Sequence, residues 1–207
     1  MKTQEEITNW YDQWHRTHGI NSWRPIESYK LFLPFFGNLP ARVLDVGCGV
    51  GSLLSLLHNR GYQTYGVDIS IEAIGVAHAV SPYSTLISCS GVCLPYKDQY
   101  FDYVSVIGSL EHFINMEKGL HEIHRVLKRG GRAIILVPNR WWIPYWLGRP
   151  GTAQAEINEH LLSLSEWRRT LTHEGLFHLI GIKQDPYHRY PIPLQWSYQF
   201  LFVLERV

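Results

Sequence analysis

The residues of this sequence best placed to do chemistry are two aspartates and a run of glycines, each following a short apolar segment. Asp45-Val-Gly-Cys-Gly-Val-Gly51 sets glycines at 47, 49 and 51. Glycine permits a tight turn and removes side-chain bulk, so backbone can approach a ligand closely. A helix opening just afterwards would offer its N-terminal amides to negative charge. A dinucleotide fingerprint requires a third glycine at position 52, where this chain has Ser52. Asp45 adds a carboxylate at the strand end, which repels a pyrophosphate and attracts an ammonium group. The combination reads as a nucleoside pocket without a phosphate cradle. Asp68 lies 23 residues beyond Asp45, close to the ~20-residue offset at which an acid accepts hydrogen bonds from ribose hydroxyls. Ile69 follows it and can cover one face of a purine. Asp68 can also serve as the N-cap of a helix that begins at Ile71.

A second cluster, Gly108-Ser-Leu-Glu-His112, follows another apolar run. Glu111 reads as an acid complementing a helix dipole, and His112 as either a proton acceptor or a hydrogen-bonded helix residue. His121 and His124 are three apart, as metal ligands can be, but no carboxylate or third ligand presents itself nearby, so they read as a solvated helix face and no metal is expected. No nucleophile elbow or Walker loop occurs. Three cysteines, Cys48, Cys89 and Cys93, form neither a zinc spacing nor a disulfide framework and suit a reducing compartment.

These residues need a scaffold that brings strand ends together. Arg42–Val46, Tyr62–Val67, Thr85–Ser88, Phe101–Ile107 and Ala133–Val137 read as strands, their cores near-continuous apolar runs. Between them, Ser52–Arg60, Ile71–Ala79 and Glu117–Leu127 carry helical spacing, with Gly61 closing the first of these helices and Gly130-Gly131 ending the last beyond Lys128 and Arg129. That alternation predicts a parallel sheet covered on both faces, a three-layer α/β sandwich. Ligands then bind beyond the carboxyl ends of the strands, where strand order reverses. Two helical stretches, about Glu5–Arg16 and Ile26–Phe36, precede this core. A helix Ser165–Glu174 and strands Phe177–Lys183 and Phe200–Arg206 follow it. The expected organisation is a single domain: a helical cap over 1–40, a binding core over 41–139, and a substrate-side segment over 140–207.

Val43–Leu54, Gly66–Ser70, Phe101–Phe113 and Arg125–Asn139, in order and at normal spacing, resemble the class I S-adenosylmethionine-dependent methyltransferases. The nearest flavour is the small-molecule group typified by ubiquinone- and menaquinone-biosynthesis enzymes. The resemblance implies a Rossmann-like, mostly parallel seven-stranded sheet with its last strand antiparallel. It also implies S-adenosyl-L-methionine as cofactor and S-adenosyl-L-homocysteine as product. Under it, the Asp45, Gly47, Cys48, Gly49 and Gly51 loop holds the methionine part, Asp68 the ribose and Ile69 the adenine. Gly91 and Val92 stand after the third strand, where the family usually carries an acid; Val92 replaces that acid. Ile107 and Gly108 approach the methionine moiety, and His112 points toward the methyl group as the candidate catalytic residue. Insertions and N-terminal helices build the family's substrate chamber. That makes Tyr11, Trp14, Trp23, Trp141, Trp142, Tyr145 and Trp146 candidate substrate contacts.

Composition narrows the partner. Hydrophobic residues are 45% and charged residues 18%, which is globular rather than disordered. Nineteen Lys and Arg balance eighteen Asp and Glu, so no broad footprint for nucleic acid exists. No apolar run reaches the ~20 residues of a membrane span, and the N-terminus carries no signal-peptide pattern, so a cytoplasmic protein is expected. Aromatic residues are 14% of the chain and crowd Trp141–Trp146 and Tyr187–Phe202, which suits an apolar or aromatic acceptor, peripheral membrane contact or packing. The expected function is methyl transfer to a small-molecule acceptor. The alternative is a non-catalytic S-adenosylmethionine-binding protein or partner subunit.

Overall fold

Alternation in burial shows how the strands divide two cores between them. Val43 and Leu44 are both fully buried but belong to opposite faces, as do Ile134 and Ile135. Such runs belong to a sheet covered on both sides. The computed structural model describes residues 2–142, 157, 159–184 and 192–207. Its sheet has seven strands: β1 Arg42–Val46, β2 Gln63–Asp68, β3 Thr85–Ser88, β4 Phe101–Ile107, β5 Leu127–Pro138, β6 Phe177–Gln184 and β7 Gln199–Arg206. They lie in the order β3-β2-β1-β4-β5-β7-β6. The first five are parallel, and β7 runs antiparallel between β5 and β6.

The helices named here are α1 Gln4–His18, α2 Ile26–Tyr29, α3 Ser52–His58, α4 Ile71–Val80, α5 Met116–Val126 and α6 Leu164–Leu171. On one face α5 contributes Leu120, Ile123 and Val126, and α6 contributes Trp167 and Leu171. Trp167 is fully buried, and its indole N–H donates to Pro138 O at 2.7 Å, tying α6 to the end of β5. The other face receives Leu53 and Leu57 from α3 with Phe32, Leu33 and Phe36 from the N-terminal segment. Each of these large side chains contributes about 1.5–3 kcal/mol on burial.

Three local expectations change. α5 stops at Val126, because Leu127 is already extended (φ −69°, ψ 145°) and pairs with Phe101. Lys128–Gly131 therefore belong to β5 rather than to a helix end, and Lys128 Nζ pairs with Asp102 at 2.6 Å. The stretch from Ile26 is α-helical only to Tyr29 and continues to Phe35 as a 3-10 helix containing Pro34, which cannot donate a backbone hydrogen bond. α6 starts one residue earlier than expected. Ser163 and Glu166 form a reciprocal cap, and the helix ends at Leu171.

Outside the sheet, α1 lies across α4. Ser70 Oγ donates to Asp12 Oδ1 at 2.6 Å, the Glu72 N–H donates to the same oxygen at 3.3 Å, and Arg16 pairs with Glu72 at 2.7 Å. No helix of the described residues is long and apolar enough to cross a membrane.

Candidate functional site

Strand order turns at β1 and β4: the chain runs from β1 to β2 and β3 on one side and from β4 to β5 on the other. A crevice must open there, beyond the carboxyl ends. A cavity of about 430 Å³ occupies it. The floor is the loop after β1. Gly47 and Cys48 both donate their backbone N–H to Val67 O, at 2.8 and 3.0 Å, which folds the loop back over β2. Gly47 has φ +75°, and a Cβ there would sit 2.3 Å from Ser109 Oγ, so only glycine fits. On the far wall, a Cβ at Gly91 would strike the Phe113 ring at 2.3 Å.

Asp68 closes this floor from β2. Its Oδ2 accepts from the Gly49 N–H at 2.8 Å and its Oδ1 from the Ser70 N–H at 2.9 Å. Each carboxylate oxygen has two lone pairs, so both retain capacity for hydroxyl donors. The helix cap is Ser70, whose side chain accepts from the Ala73 N–H, so the N-cap role open to Asp68 in the sequence falls to its neighbour. Burial pushes the Asp68 carboxyl up to about 6 despite the two N–H donors. Asp45, 3% exposed, accepts a 2.7 Å hydrogen bond from Ser105 Oγ, and burial, reinforced by Asp68, pushes it up to about 7.

Of the residues singled out from the sequence, Asp45, Gly47, Cys48, Gly49, Asp68, Ile69, Gly91, Val92, Ile107, Gly108 and His112 all line this one cavity, as do Tyr11 and Trp14 of α1 and Trp23 after it. These aromatics contact one another and the turn after β4: Trp14 stacks on Trp23 with ring centroids 4.9 Å apart, and Tyr11 meets the His112 ring edge-on at 6.3 Å. Gly51 lies behind the cavity, capping α3 against Ala77. Trp141 and Trp142 do not line it; Trp142 packs near Tyr198 and Trp141 is half-exposed. Tyr145 and Trp146 lie outside the described residues.

Glu111 is the site residue the sequence conceals. It sits in a single 3-10 turn, Leu110–His112, and not in a helix whose dipole it would complement. It is 3% exposed, lines the cavity, and its Oε2 has no hydrogen-bond partner among the described residues. Burial, with Glu159 adding to it, pushes its carboxyl up to about 8 against the pull of Arg24. The only signal in the sequence was an acid placed four residues past a strand end. Elsewhere, His121 pairs at the surface with Glu174 at 3.2 Å, with Glu117 alongside, a carboxylate contact that helical spacing alone does not reveal.

A family described as "Methyltransferase domain" matches residues 44–135. The demethylmenaquinone methyltransferase of Chlorobaculum tepidum is 30% identical over 148 residues, covering 66% of this chain and 61% of that protein. The chain thus spans about three fifths of the length of two such curated relatives. Among solved structures, a Pyrococcus horikoshii protein superposes with TM-score 0.74 at 21% identity, covering 98% of this chain and 99% of its own. Magnesium protoporphyrin IX methyltransferase from Synechocystis, solved with bound S-adenosylhomocysteine, does so with TM-score 0.73 at 18% identity, covering 99% and 100%. Residues 44–135 thus match a methyltransferase domain, and the fold is that of the class I S-adenosylmethionine-dependent methyltransferases. The cofactor of that class, S-adenosylmethionine, suits the donors and acceptors present. Asp68 keeps lone pairs for a ribose diol, and the glycine floor has no room for side chains of its own.

Proposed function

We propose that this protein transfers a methyl group from S-adenosylmethionine to a small-molecule acceptor. The observation that carries the reading is the convergence of Asp45, the Gly47–Gly49 floor and Asp68 on one cavity at the reversal of strand order. Asp68 binds the ribose hydroxyls, Ile69 covers the adenine, and Asp45 with the glycine loop holds the methionine end. Val92 stands where an acid would meet the adenine amino group, so backbone near Gly91 takes over that contact. The bound cofactor supplies an electrophilic methyl on a sulfonium. The chain's own contribution is alignment and exclusion of water beneath the aromatic cap. Calorimetry tests this directly. S-adenosylhomocysteine should bind and NAD should not; tight NAD binding, or no binding of the nucleoside, sinks the reading.

His112 stands on the acceptor side, edge-on to Tyr11. His112→Ala is expected to lower the transfer rate by roughly 10²-fold, followed as S-adenosylhomocysteine released with a saturating acceptor. His112→Gln keeps hydrogen bonding without basicity. Recovery of most of the rate in the glutamine variant is the expected result, and assigns His112 to orientation of the acceptor. A loss equal to that of alanine would make it the proton acceptor instead.

A further inference from the structure

The cavity carries more carboxyl groups than the cofactor needs. Besides Asp45 and Asp68, the lining carries Glu111 and Glu159. Against these four carboxyl groups the described lining offers one guanidinium, that of Arg24, which donates to Gln199 Oε1 at 2.5 Å. His15 adds no charge near neutral pH, because burial holds its imidazole down at about 4. S-adenosylmethionine itself brings a sulfonium, an ammonium and a carboxylate, a net charge of one, which Asp45 and Asp68 already exceed. That leaves Glu111 and Glu159 available to a ligand other than the cofactor.

Their placement agrees. The His160 N–H donates to Glu111 O at 2.8 Å, so the segment carrying Glu159 is docked directly on the Glu111 turn. The Glu111 carboxylate lies over Gly108, with Oε1 3.8 Å from where a Cβ would be. That is the end of β4, beside the glycine floor. Tyr11, Trp23, Phe113 and Tyr198 line the same cavity. Aromatic walls with buried carboxylates are the surroundings in which an organic cation is held. A buried, unpartnered carboxyl oxygen costs free energy until a donor reaches it.

We infer that the acceptor is a small amine, held as its ammonium ion at Glu111 within the aromatic wall, and that Glu111 removes the proton that frees the nitrogen for methylation. This rests on the methyltransferase reading above. An N–H proton passes from the ammonium to Glu111 Oε2, leaving a neutral amine with its lone pair. A carbon–nitrogen bond then forms as the bond from methyl to sulfur breaks, that electron pair remaining on sulfur as a neutral thioether. The product leaves as the methylated ammonium ion, and Glu111 gives its proton to water when the site opens. Arg24 and Glu159 from neighbouring segments set the field in which this carboxyl titrates, with His112 on the same turn and Asp45 lining the same cavity. A carboxyl that holds its proton to about 8 in the empty cavity is a stronger base than an ordinary one.

The test uses protein saturated with S-adenosylhomocysteine and two probes of one shape, phenethylamine and phenethyl alcohol. The amine should bind at least about tenfold more tightly than the alcohol. Calorimetry at neutral pH in buffers of different ionisation enthalpy should show a proton released as Glu111 ionises against the ammonium. Glu111→Gln should lose both the preference and the proton, while Glu111→Asp, which keeps the carboxyl, should retain them more weakly. S-adenosylhomocysteine affinity in each variant reports that the fold and cofactor site are intact. Equal binding of the two probes, no binding of the amine, or an undiminished amine preference in Glu111→Gln overturns the inference and leaves the methyltransferase reading standing. Wild-type protein that fails to hold S-adenosylhomocysteine overturns both.

Discussion

Replacing Asp68 with alanine is expected to weaken S-adenosylhomocysteine binding roughly five- to 150-fold, the equivalent of about 1–3 kcal/mol. Two losses combine. The ribose hydroxyls lose their acceptor, and the Gly49 and Ser70 N–H groups, now bonded to the two carboxylate oxygens at 2.8 and 2.9 Å, are left to find water. The second loss loosens the floor that the first one uses. Asp68→Asn separates them, since its amide oxygen can still accept one of the two N–H groups. Titration calorimetry on both variants reads the effect, and unchanged affinity in Asp68→Ala would remove Asp68 from the ribose.

The unliganded protein should lose stability as pH rises from about 4.5 to about 8. In the unfolded chain Glu111 gives up its proton near 4.5; folded, burial makes it hold on to about 8. Between those values the folded state binds more protons than the unfolded one, so the slope of stability with pH is negative. Each tenfold difference in proton affinity is worth about 1.4 kcal/mol, which makes Glu111 alone worth on the order of 4 kcal/mol across that interval. Asp45 and Asp68, pushed up to about 7 and about 6 by the same burial, add to the fall over its lower part, where His15, held down to about 4, opposes them without cancelling it. Urea denaturation across this range measures it, and Glu111→Gln should flatten the curve and be the more stable protein at pH 8. Stability that stays level or climbs over that interval would show that Glu111 ionises freely in the fold.

Local pattern carried the glycine floor further than it carried the Glu111 side of the cavity. Glycine spacing at 47, 49 and 51, the offset from Asp45 to Asp68 and the apolar runs before them are consequences of short-range backbone geometry, visible in any stretch long enough to hold them. Glu111 was misread because its surroundings come from elsewhere. Arg24 arrives from the N-terminal segment, Glu159 and His160 from beyond β5, and Gln199 from the start of β7. No window of sequence contains that convergence. The turn at Leu110–His112 compounds the error, since an acid after a strand end reads as the opening of a helix until the chain is seen to make one 3-10 turn. The end of α5 failed for a similar reason. Lys128 and Arg129 suit a helix terminus in isolation, but pairing of Leu127 with Phe101 and of Lys128 with Asp102 draws them into the sheet.

The place of β7 between β5 and β6 has a consequence for how the chain is made. On the ribosome, β5 and β6 are synthesised before the strand that joins them. Among the described residues β6 hydrogen-bonds within the sheet only to β7, so until Gln199–Arg206 has emerged that pairing cannot form, and one long edge of β5 stays open. At ~5–20 residues per second that interval lasts a second or more. The bare edge includes Ile134, Ile135 and Leu136, which in the finished sheet face Val203, Phe202 and Leu201. An unpaired apolar edge is a template for other chains. Nascent chains of this protein are therefore most exposed to mispairing and to chaperone capture in the short time before β7 is delivered.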